Sequence, residues 1–150
     1  MKILIIAGGE IGASIVASVL SLNLTLQVKL VVRKDELHLF SEHTEKIGWT
    51  VNKFRDINDL PSFGSFDLGI CAGWSSLILP KTLNSTRLGF CGFHPSLLPD
   101  YRGRSVIAWQ IEDCIRESGT TLFWLSELAD AGDIIGQFKY QIDKEDYASD

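Results

Sequence analysis

The alternation of short, unbroken apolar runs with stretches of helical periodicity constrains the fold most. Lys2–Ala7 is such a run, as expected of a strand buried on both faces of a sheet. After Gly8 and Gly9, apolar residues recur at helical spacing from Ile11 to Leu20. The other strand-like runs are Val28–Val32, Trp49–Val51, Asp67–Ala72, Leu88–Phe93, Thr120–Leu125 and Ile134–Ile142, and the other helical patterns are Asp35–Ile47 and Val106–Ile115. Strands that alternate with helices predict an α/β fold with a doubly wound, mostly parallel sheet, in which ligands bind at the carboxyl ends of strands.

Length and charge narrow the class of protein further. The chain has 150 residues, of which 45% are apolar and 22% charged, an ordinary globular composition that excludes a disordered chain. We expect one domain over residues 1–150, because a second full domain does not fit. The net charge of −5 argues against a nucleic-acid-binding surface. The polar ending Asp146–Asp150 offers no closing helix, so we expect a C-terminally truncated or unusually short version of its fold.

The cysteines and the apolar runs bear on the cellular compartment. Cys71, Cys91 and Cys114 are odd in number and lack CxxC spacing, which predicts neither a disulfide framework nor a zinc site. Three reduced thiols are typical of a cytoplasmic protein. The N-terminal apolar run is too short for a signal peptide, and no run reaches the ~18 apolar residues of a membrane span. We therefore expect no membrane partner. The oligomeric state stays open, with a homodimer as one alternative.

A glycine-containing turn follows the first predicted strand. Gly8, Gly9 and Gly12 nearly match a dinucleotide-binding fingerprint, with Ala7 in place of the first glycine. Glycines here would let a phosphate approach backbone N–H groups at the start of a helix. The second strand ends in Arg33 and Lys34 rather than in the acidic residue that binds a ribose, which favours a general phosphate loop over a dinucleotide site. A tight strand-to-helix turn without a ligand remains an equal alternative.

The most informative segment is Gly89–Arg104, which places His94 at the end of a predicted strand and before a proline-rich loop. Histidine is the side chain best suited to proton transfer near neutral pH, and a loop stiffened by prolines favours a pre-organised site. His38 and His43 lie in a predicted polar helix without such companions, so we interpret them as structural.

A carboxylate lies at the end of another predicted strand. Asp130 belongs to the turn Glu127–Ile135, which follows Thr120–Leu125. Aspartate and glycine are common in turns for conformational reasons alone. If this sheet end also holds His94, the carboxylate could orient and charge the imidazole.

These segments together resemble a known family. The resemblance rests on His94–Pro99, Tyr101–Gly103, Gly119–Leu122 and Asp130–Ile135, with Trp109 and Gln137. They look like the formyltransferases that use 10-formyltetrahydrofolate, which include methionyl-tRNA, glycinamide ribonucleotide and sugar-nucleotide formyltransferases and a formyl-folate hydrolase domain. The resemblance covers nearly the whole chain and implies a Rossmann-like catalytic domain with 10-formyltetrahydrofolate as co-substrate.

The resemblance also implies roles for individual residues. The family's catalytic trio is Asn, His and Asp; its His matches His94, its Asp matches Asp130, and its Asn position is Gly92. In the family the Asn and the His stabilise the oxyanion that forms when an amine attacks the formyl carbon. Loss of one such donor typically costs about 10²–10³ in rate. Gly92 therefore predicts a substitute donor, or else a weak, repurposed or inactive member.

Ligand-binding residues carry over in the same way. The folate pocket corresponds to Trp74, Ser75, Leu77, Phe90 and Glu127, of which Leu77 and Phe90 are equally plausible as plain core. A large ring at Trp74, after a glycine turn, suits the face of a pterin. The turn with Gly8, Gly9 and Gly12 would lie on the acceptor side, where several family substrates carry phosphate.

The acceptor expected from this pattern is a small-molecule amine, most simply a nucleotide-linked amino sugar. The absence of a basic second domain and the charge of −5 argue against methionyl-tRNA, unless the chain is a fragment. Three alternatives remain: a formyl-folate hydrolase, suggested by Gly92; a non-catalytic folate- or nucleotide-binding module; and a dinucleotide-binding domain.

Overall fold

The computed structural model describes residues 1–22, 24–60 and 63–147. Two compact units divide the chain, residues 1–91 and residues 92–150. The expectation of one domain over residues 1–150 stays a prediction. The strands are β1 (Lys2–Ala7), β2 (Gln27–Arg33), β3 (Ile47–Val51), β4 (Leu68–Ala72), β5 (Phe90–His94), β6 (Glu117–Trp124) and β7 (Ile134–Gln141). The α-helices are α1 (Gly9–Ser21), α2 (Pro80–Leu83) and α3 (Val106–Glu112), and 3-10 helices span Lys34–Lys46 and Phe54–Asp59.

The sheet of the first unit is parallel and doubly wound, as the sequence predicts. Its strand order is β3-β2-β1-β4, so the chain moves outward from β1 to β3 and then returns to the other side of β1. The start of β5 lies beside β4, where the Gly69 amide donates to the Gly89 carbonyl at 3.0 Å. Ala7 pairs with Ala72, so β1 and β4 end together at the point where the strand order reverses. Ligands of open α/β sheets bind at such points.

Burial explains why these segments form a strand and a helix. All of β1 after Lys2 is buried, which matches its unbroken apolar run. Helix α1 buries Gly12 and Val16, one turn apart on one face. A Cβ at Gly12 would come within 2.9 Å of the Ala72 carbonyl oxygen, so only glycine lets the helix approach the ends of β1 and β4 this closely.

The second unit is built on an antiparallel pair. Strand β6 pairs with β7 from Glu117 opposite Gln141 to Phe123 opposite Ile134, with a register shift between Leu122 and Phe123. Helix α3 buries Val106 and Gln110. Strand β7 is exposed along most of its length.

Several predicted elements differ from the observed ones in type or length. The predicted polar helix is a 3-10 segment with non-helical residues at Phe40 and His43. The 3-10 helix at Phe54–Asp59 was not predicted, and α3 ends at Glu112, before the predicted Ile115. The predicted break at Asn23 and the final residues 148–150 lie outside the described residues. In the described ranges, no helix has the length and apolar character needed to cross a membrane.

Candidate active site

His94 is the last residue of β5 and lies in the second unit. Its side chain is only 7% exposed, and its Nε2 lies 2.7 Å from the backbone oxygen of Tyr101. A carbonyl oxygen can only accept a hydrogen bond, so Nε2 carries a proton and donates it. The ring also meets Phe123 edge to face, with centroids 6.5 Å apart. Strand, carbonyl and phenyl ring together fix the orientation of the imidazole.

Asp130 lies beside the other nitrogen of this ring, as the sequence predicts. Its Oδ2 is 3.6 Å from Nδ1 of His94 and accepts a hydrogen bond from the Gly103 amide at 2.9 Å. Asp130 has a φ of +50°, in the left-handed region that aspartate tolerates better than most residues. The Trp124 amide donates to the Asp133 carbonyl at 2.9 Å, which closes the loop that carries Asp130.

The pair is suited to proton transfer. Because Nε2 is held by the Tyr101 carbonyl, Nδ1 is the nitrogen left to exchange a proton with Asp130 or with a reacting group. The Asp130 side chain is 20% exposed, so a ligand can approach the carboxylate from solvent.

Gly92 precedes His94 by two residues in β5 and is buried. Alternate residues of a strand point to the same face, so a side chain at position 92 would project on the His94 side. Gly92 itself brings no side-chain hydrogen-bond donor to that face.

The glycine turn lies in the first unit, at the reversal of the strand order. The Gly8 amide donates to the Ala72 carbonyl at 3.0 Å. Gly73 has a φ of +63°, and a Cβ there would collide with the Gly8 carbonyl oxygen. A Cβ at Gly8 would in turn lie 2.8 Å from the Phe54 ring. The backbones of the two turns therefore touch, and Phe54 covers one side of them.

Glu36 occupies the start of α1, a feature that sequence reasoning missed. Its Oε2 accepts a hydrogen bond from the Gly9 amide at 3.0 Å, and its Oε1 lies 3.7 Å from Nη1 of Arg33. Arg33 also pairs with Asp35 and places its guanidinium carbon 4.5 Å from the Phe54 ring centroid. The hydrogen bond to Asp35 raises the pKa of Arg33, whose charge is thereby secured. A carboxylate of the chain itself thus accepts a hydrogen bond from a backbone amide that was expected to face a phosphate.

The residues expected to bind folate lie in different surroundings. Trp74 meets Phe54 edge to face at 4.9 Å, and its indole Nε1 is buried without a hydrogen-bond partner in the part of the chain that the structure describes. Ser75 and Leu77 are exposed. The Phe90 ring fills the space above Gly69 and is 1% exposed, so its side chain belongs to the core.

Glu127, the last predicted folate contact, belongs to the second unit. It is exposed and lies in the loop that carries Asp130. The second unit therefore contains Gly92, His94, Glu127 and Asp130, whereas the first contains the glycine turn and the other predicted folate contacts.

Comparison with known proteins identifies the family. The family model described as formyl transferase matches residues 2–150. The chain belongs to this formyl transferase family. The formyl transferase resemblance drawn from segments such as His94–Pro99 and Asp130–Ile135 is thereby confirmed, as is the α/β fold.

Relatives of this chain include enzymes that are much longer. The methionyl-tRNA formyltransferase of Staphylococcus epidermidis is 38% identical over 96 residues, which are 63% of this chain and 31% of that protein. The methionyl-tRNA formyltransferase of Wolbachia pipientis is 34% identical over 116 residues, 75% of this chain and 38% of that protein. The matches span less than two fifths of these two relatives.

Solved structures share the fold at lower identity. Phosphoribosylglycinamide formyltransferase from Bacillus halodurans has a TM-score of 0.76 at 23% identity, over 98% of this chain and 83% of that one. A formyltetrahydrofolate deformylase from Pseudomonas syringae has a TM-score of 0.76 at 16% identity, over 97% of this chain and 53% of that one. These likenesses show the fold of this chain and say nothing of its substrate.

Proposed function

We propose that the protein transfers a formyl group from 10-formyltetrahydrofolate to an amine. The observation that carries the proposal is the His94–Asp130 pair, with Nδ1 and Oδ2 3.6 Å apart and Nε2 held by a backbone carbonyl. Membership of the formyl transferase family supports the reaction class. Trp74, Ser75, Leu77 and Glu127 remain the proposed folate contacts, whereas the Phe90 ring is part of the core.

The reaction follows from the chemistry of the two groups. The acceptor nitrogen attacks the formyl carbon, a new N–C bond forms, and the carbonyl oxygen becomes an oxyanion. In its protonated form, which carries a proton on both ring nitrogens, His94 donates a hydrogen bond through Nδ1 to that oxygen, and Asp130 accepts the proton that the attacking amine loses. The bond from the formyl carbon to the folate nitrogen then breaks, and that nitrogen takes up the proton from Asp130 as the carbonyl re-forms.

The proposed acceptor is a small amine, most simply a nucleotide-linked amino sugar. Glu36 bears on how such an acceptor would meet the proposed contacts Gly8, Gly9 and Gly12, because its carboxylate already binds the Gly9 amide. A phosphate at this amide would have to displace a carboxylate of the same sign. We therefore propose that the turn meets an uncharged part of the acceptor. The methionyl-tRNA formyltransferase relatives favour a second acceptor, methionyl-tRNA.

Gly92 favours a second candidate function, hydrolysis of 10-formyltetrahydrofolate. The formyl-folate hydrolase domain that the chain resembles likewise lacks the asparagine at this position, so a site without that side chain is compatible with transfer of the formyl group to water. Formate and tetrahydrofolate would then form without any acceptor.

One turnover experiment separates these functions. The purified chain is incubated with 10-formyltetrahydrofolate and either an amino-sugar nucleotide, methionyl-tRNA or no acceptor, while released tetrahydrofolate and formate are measured. Dependence on an acceptor supports the transferase and identifies its class, whereas formate release without acceptor supports the hydrolase.

Substitution of the pair tests the proposed residues. We expect His94→Ala and Asp130→Ala each to lower kcat by at least about 10²-fold, since each removes a group that moves a proton or stabilises charge. His38→Ala and Asp59→Ala are matched controls on exposed residues and should keep the wild-type rate. Wild-type rates in both site variants would overturn the proposal.

A further inference from the structure

The loop that follows His94 is fixed at four backbone atoms by three side chains of the second unit. Gln110 of α3 donates through Nε2 to the Pro95 carbonyl at 2.9 Å. Thr121 of β6 donates to the Ser96 carbonyl at 2.6 Å and accepts from the Leu98 amide at 3.1 Å. Gln137 of β7 donates to the Leu98 carbonyl at 2.9 Å. The loop is thus tied to one helix and two strands.

Thr121 is the centre of this network. Its hydroxyl also accepts a hydrogen bond from Nε2 of Gln137 at 3.0 Å, so its one proton and both lone pairs are in use. Its relative exposure is 0%, which leaves no water to replace a lost partner. Removal of this hydroxyl would release two loop atoms at once.

Ser96 connects the network to His94. Its hydroxyl donates to the Asp100 carbonyl at 2.7 Å and lies 3.5 Å from the Tyr101 carbonyl oxygen. Tyr101 has a φ of +52°, an uncommon conformation for a side chain of its size. This conformation places the Tyr101 carbonyl 2.7 Å from Nε2 of His94. Ser96 therefore holds the turn whose carbonyl determines which ring nitrogen carries the proton.

We propose that Ser96 and Thr121 are positioning residues that fix the orientation and tautomer of His94 through the backbone of residues 96–101. In this arrangement Nε2 keeps its proton for the Tyr101 carbonyl, and Nδ1 is turned toward Asp130. The catalytic consequence rests on the proposed function, because Nδ1 is the atom that the proposed reaction uses. The tautomer itself can be observed without any substrate.

The first test is NMR spectroscopy of the ¹⁵N-labelled full chain at mildly alkaline pH, where neutral imidazoles report their tautomer. The chain has three histidines, and the His94 ring signals are assigned by their loss in His94→Gln. We expect the wild type to show a proton on Nε2 and Ser96→Ala to show a mixture of tautomers. Ser126→Ala is the matched control, since it removes a hydroxyl that donates to the Leu128 carbonyl at 2.9 Å without a link to His94.

The second test uses a pair of substitutions at Thr121. Thr121→Ser keeps the hydroxyl and should preserve the wild-type His94 signals and kcat. Thr121→Val keeps the shape without the hydroxyl; we expect mixed tautomers and a kcat lowered by about 10- to 100-fold, because small misplacements of a catalytic group have effects of this size. KM for 10-formyltetrahydrofolate should stay within about twofold, as expected if only the reacting geometry changes.

The outcomes separate this proposal from the proposed function. An unchanged His94 tautomer in Thr121→Val and Ser96→Ala would overturn it, whatever the turnover. If Ser96→Ala does not fold, the Thr121 pair gives the same comparison. If the wild type shows no turnover while the tautomer still responds to these substitutions, positioning is supported and the formyl-transfer function fails.

Discussion

Gly92 is the single residue whose substitution says most about catalysis. It lies two positions before His94 in an extended strand, and its φ is not in the left-handed region that requires glycine, so Gly92→Asn adds an amide donor on the His94 face. We expect kcat for formyl transfer to rise by about 10²-fold, the usual value of one oxyanion donor. The measurement is steady-state turnover with the acceptor identified for the wild type.

The control at this position is Gly92→Asp, which has the same shape as the asparagine variant but no amide donor. It should show no gain. An equal gain in both variants would mean that packing rather than hydrogen bonding limits the site. A folded Gly92→Asn with a lower kcat than the wild type would mean that another group already fills the role.

Single residues also show what sequence can and cannot predict about the site. The places of His94 and Asp130 after strands predicted a pair only if both lie at the same sheet end, and the resemblance to the formyltransferases assigned them to one site. The Tyr101 carbonyl was not, since its role depends on a left-handed backbone that no side-chain pattern reveals. Glu36 resembled a solvated acid of a polar helix, and its partner Gly9 lies 27 residues earlier.

Helix α1 depends on Glu36 for its first amide, a prediction at the scale of an element. Helix starts leave amides unpaired, and loss of a side-chain acceptor there costs about 1 kcal/mol. We expect Glu36→Ala to lower the free energy of unfolding by about that amount, and Glu36→Gln by less, because the amide oxygen can still accept. Urea unfolding measures the free energy of unfolding of both variants. The control is Glu42→Ala, on an exposed residue of the same 3-10 segment, which should match the wild type. An equal loss of stability in Glu42→Ala would refute the role of Glu36 as a cap.

Elements were predictable where burial dictates the pattern. Strand β1 and helix α1 follow an unbroken apolar run and a clear helical period. The segment Lys34–Lys46 buries only Phe40, so few packing contacts select its helix type, and it forms 3-10 turns with two irregular residues. The 3-10 helix at Phe54–Asp59 is too short to show a period and likewise buries one residue, Ile57.

The whole molecule should lose stability in acid through carboxylates such as Asp67. The Lys2 amide first, and then the Arg87 guanidinium, lower the pKa of Asp67. A lowered pKa stabilises the folded state above the ordinary value of 3.8, and this contribution is lost as the pH falls through the folded value. We expect Asp67→Asn to lose less stability than the wild type between pH 7 and pH 3 in urea unfolding. Asp59→Asn is the control and should lose as much stability as the wild type. If Asp67→Asn also lost as much stability as the wild type between pH 7 and pH 3, the role assigned to Asp67 would be contradicted.

In alkali, the buried thiol of Cys71 should limit the stability of the whole molecule. Burial, helped by the nearby Cys91, raises the pKa of Cys71 from 9.0 to about 12. Between these values the unfolded chain releases a proton that the folded chain keeps, so the free energy of unfolding falls by about 1.4 kcal/mol per pH unit.

We expect Cys71→Ala to be less stable than the wild type at pH 7, because it leaves a small cavity, yet to lose less stability between about pH 8 and 11. Cys114→Ala, on an exposed thiol, should keep the wild-type slope. Equal slopes in all three proteins would show that Cys71 does not govern the alkaline limit.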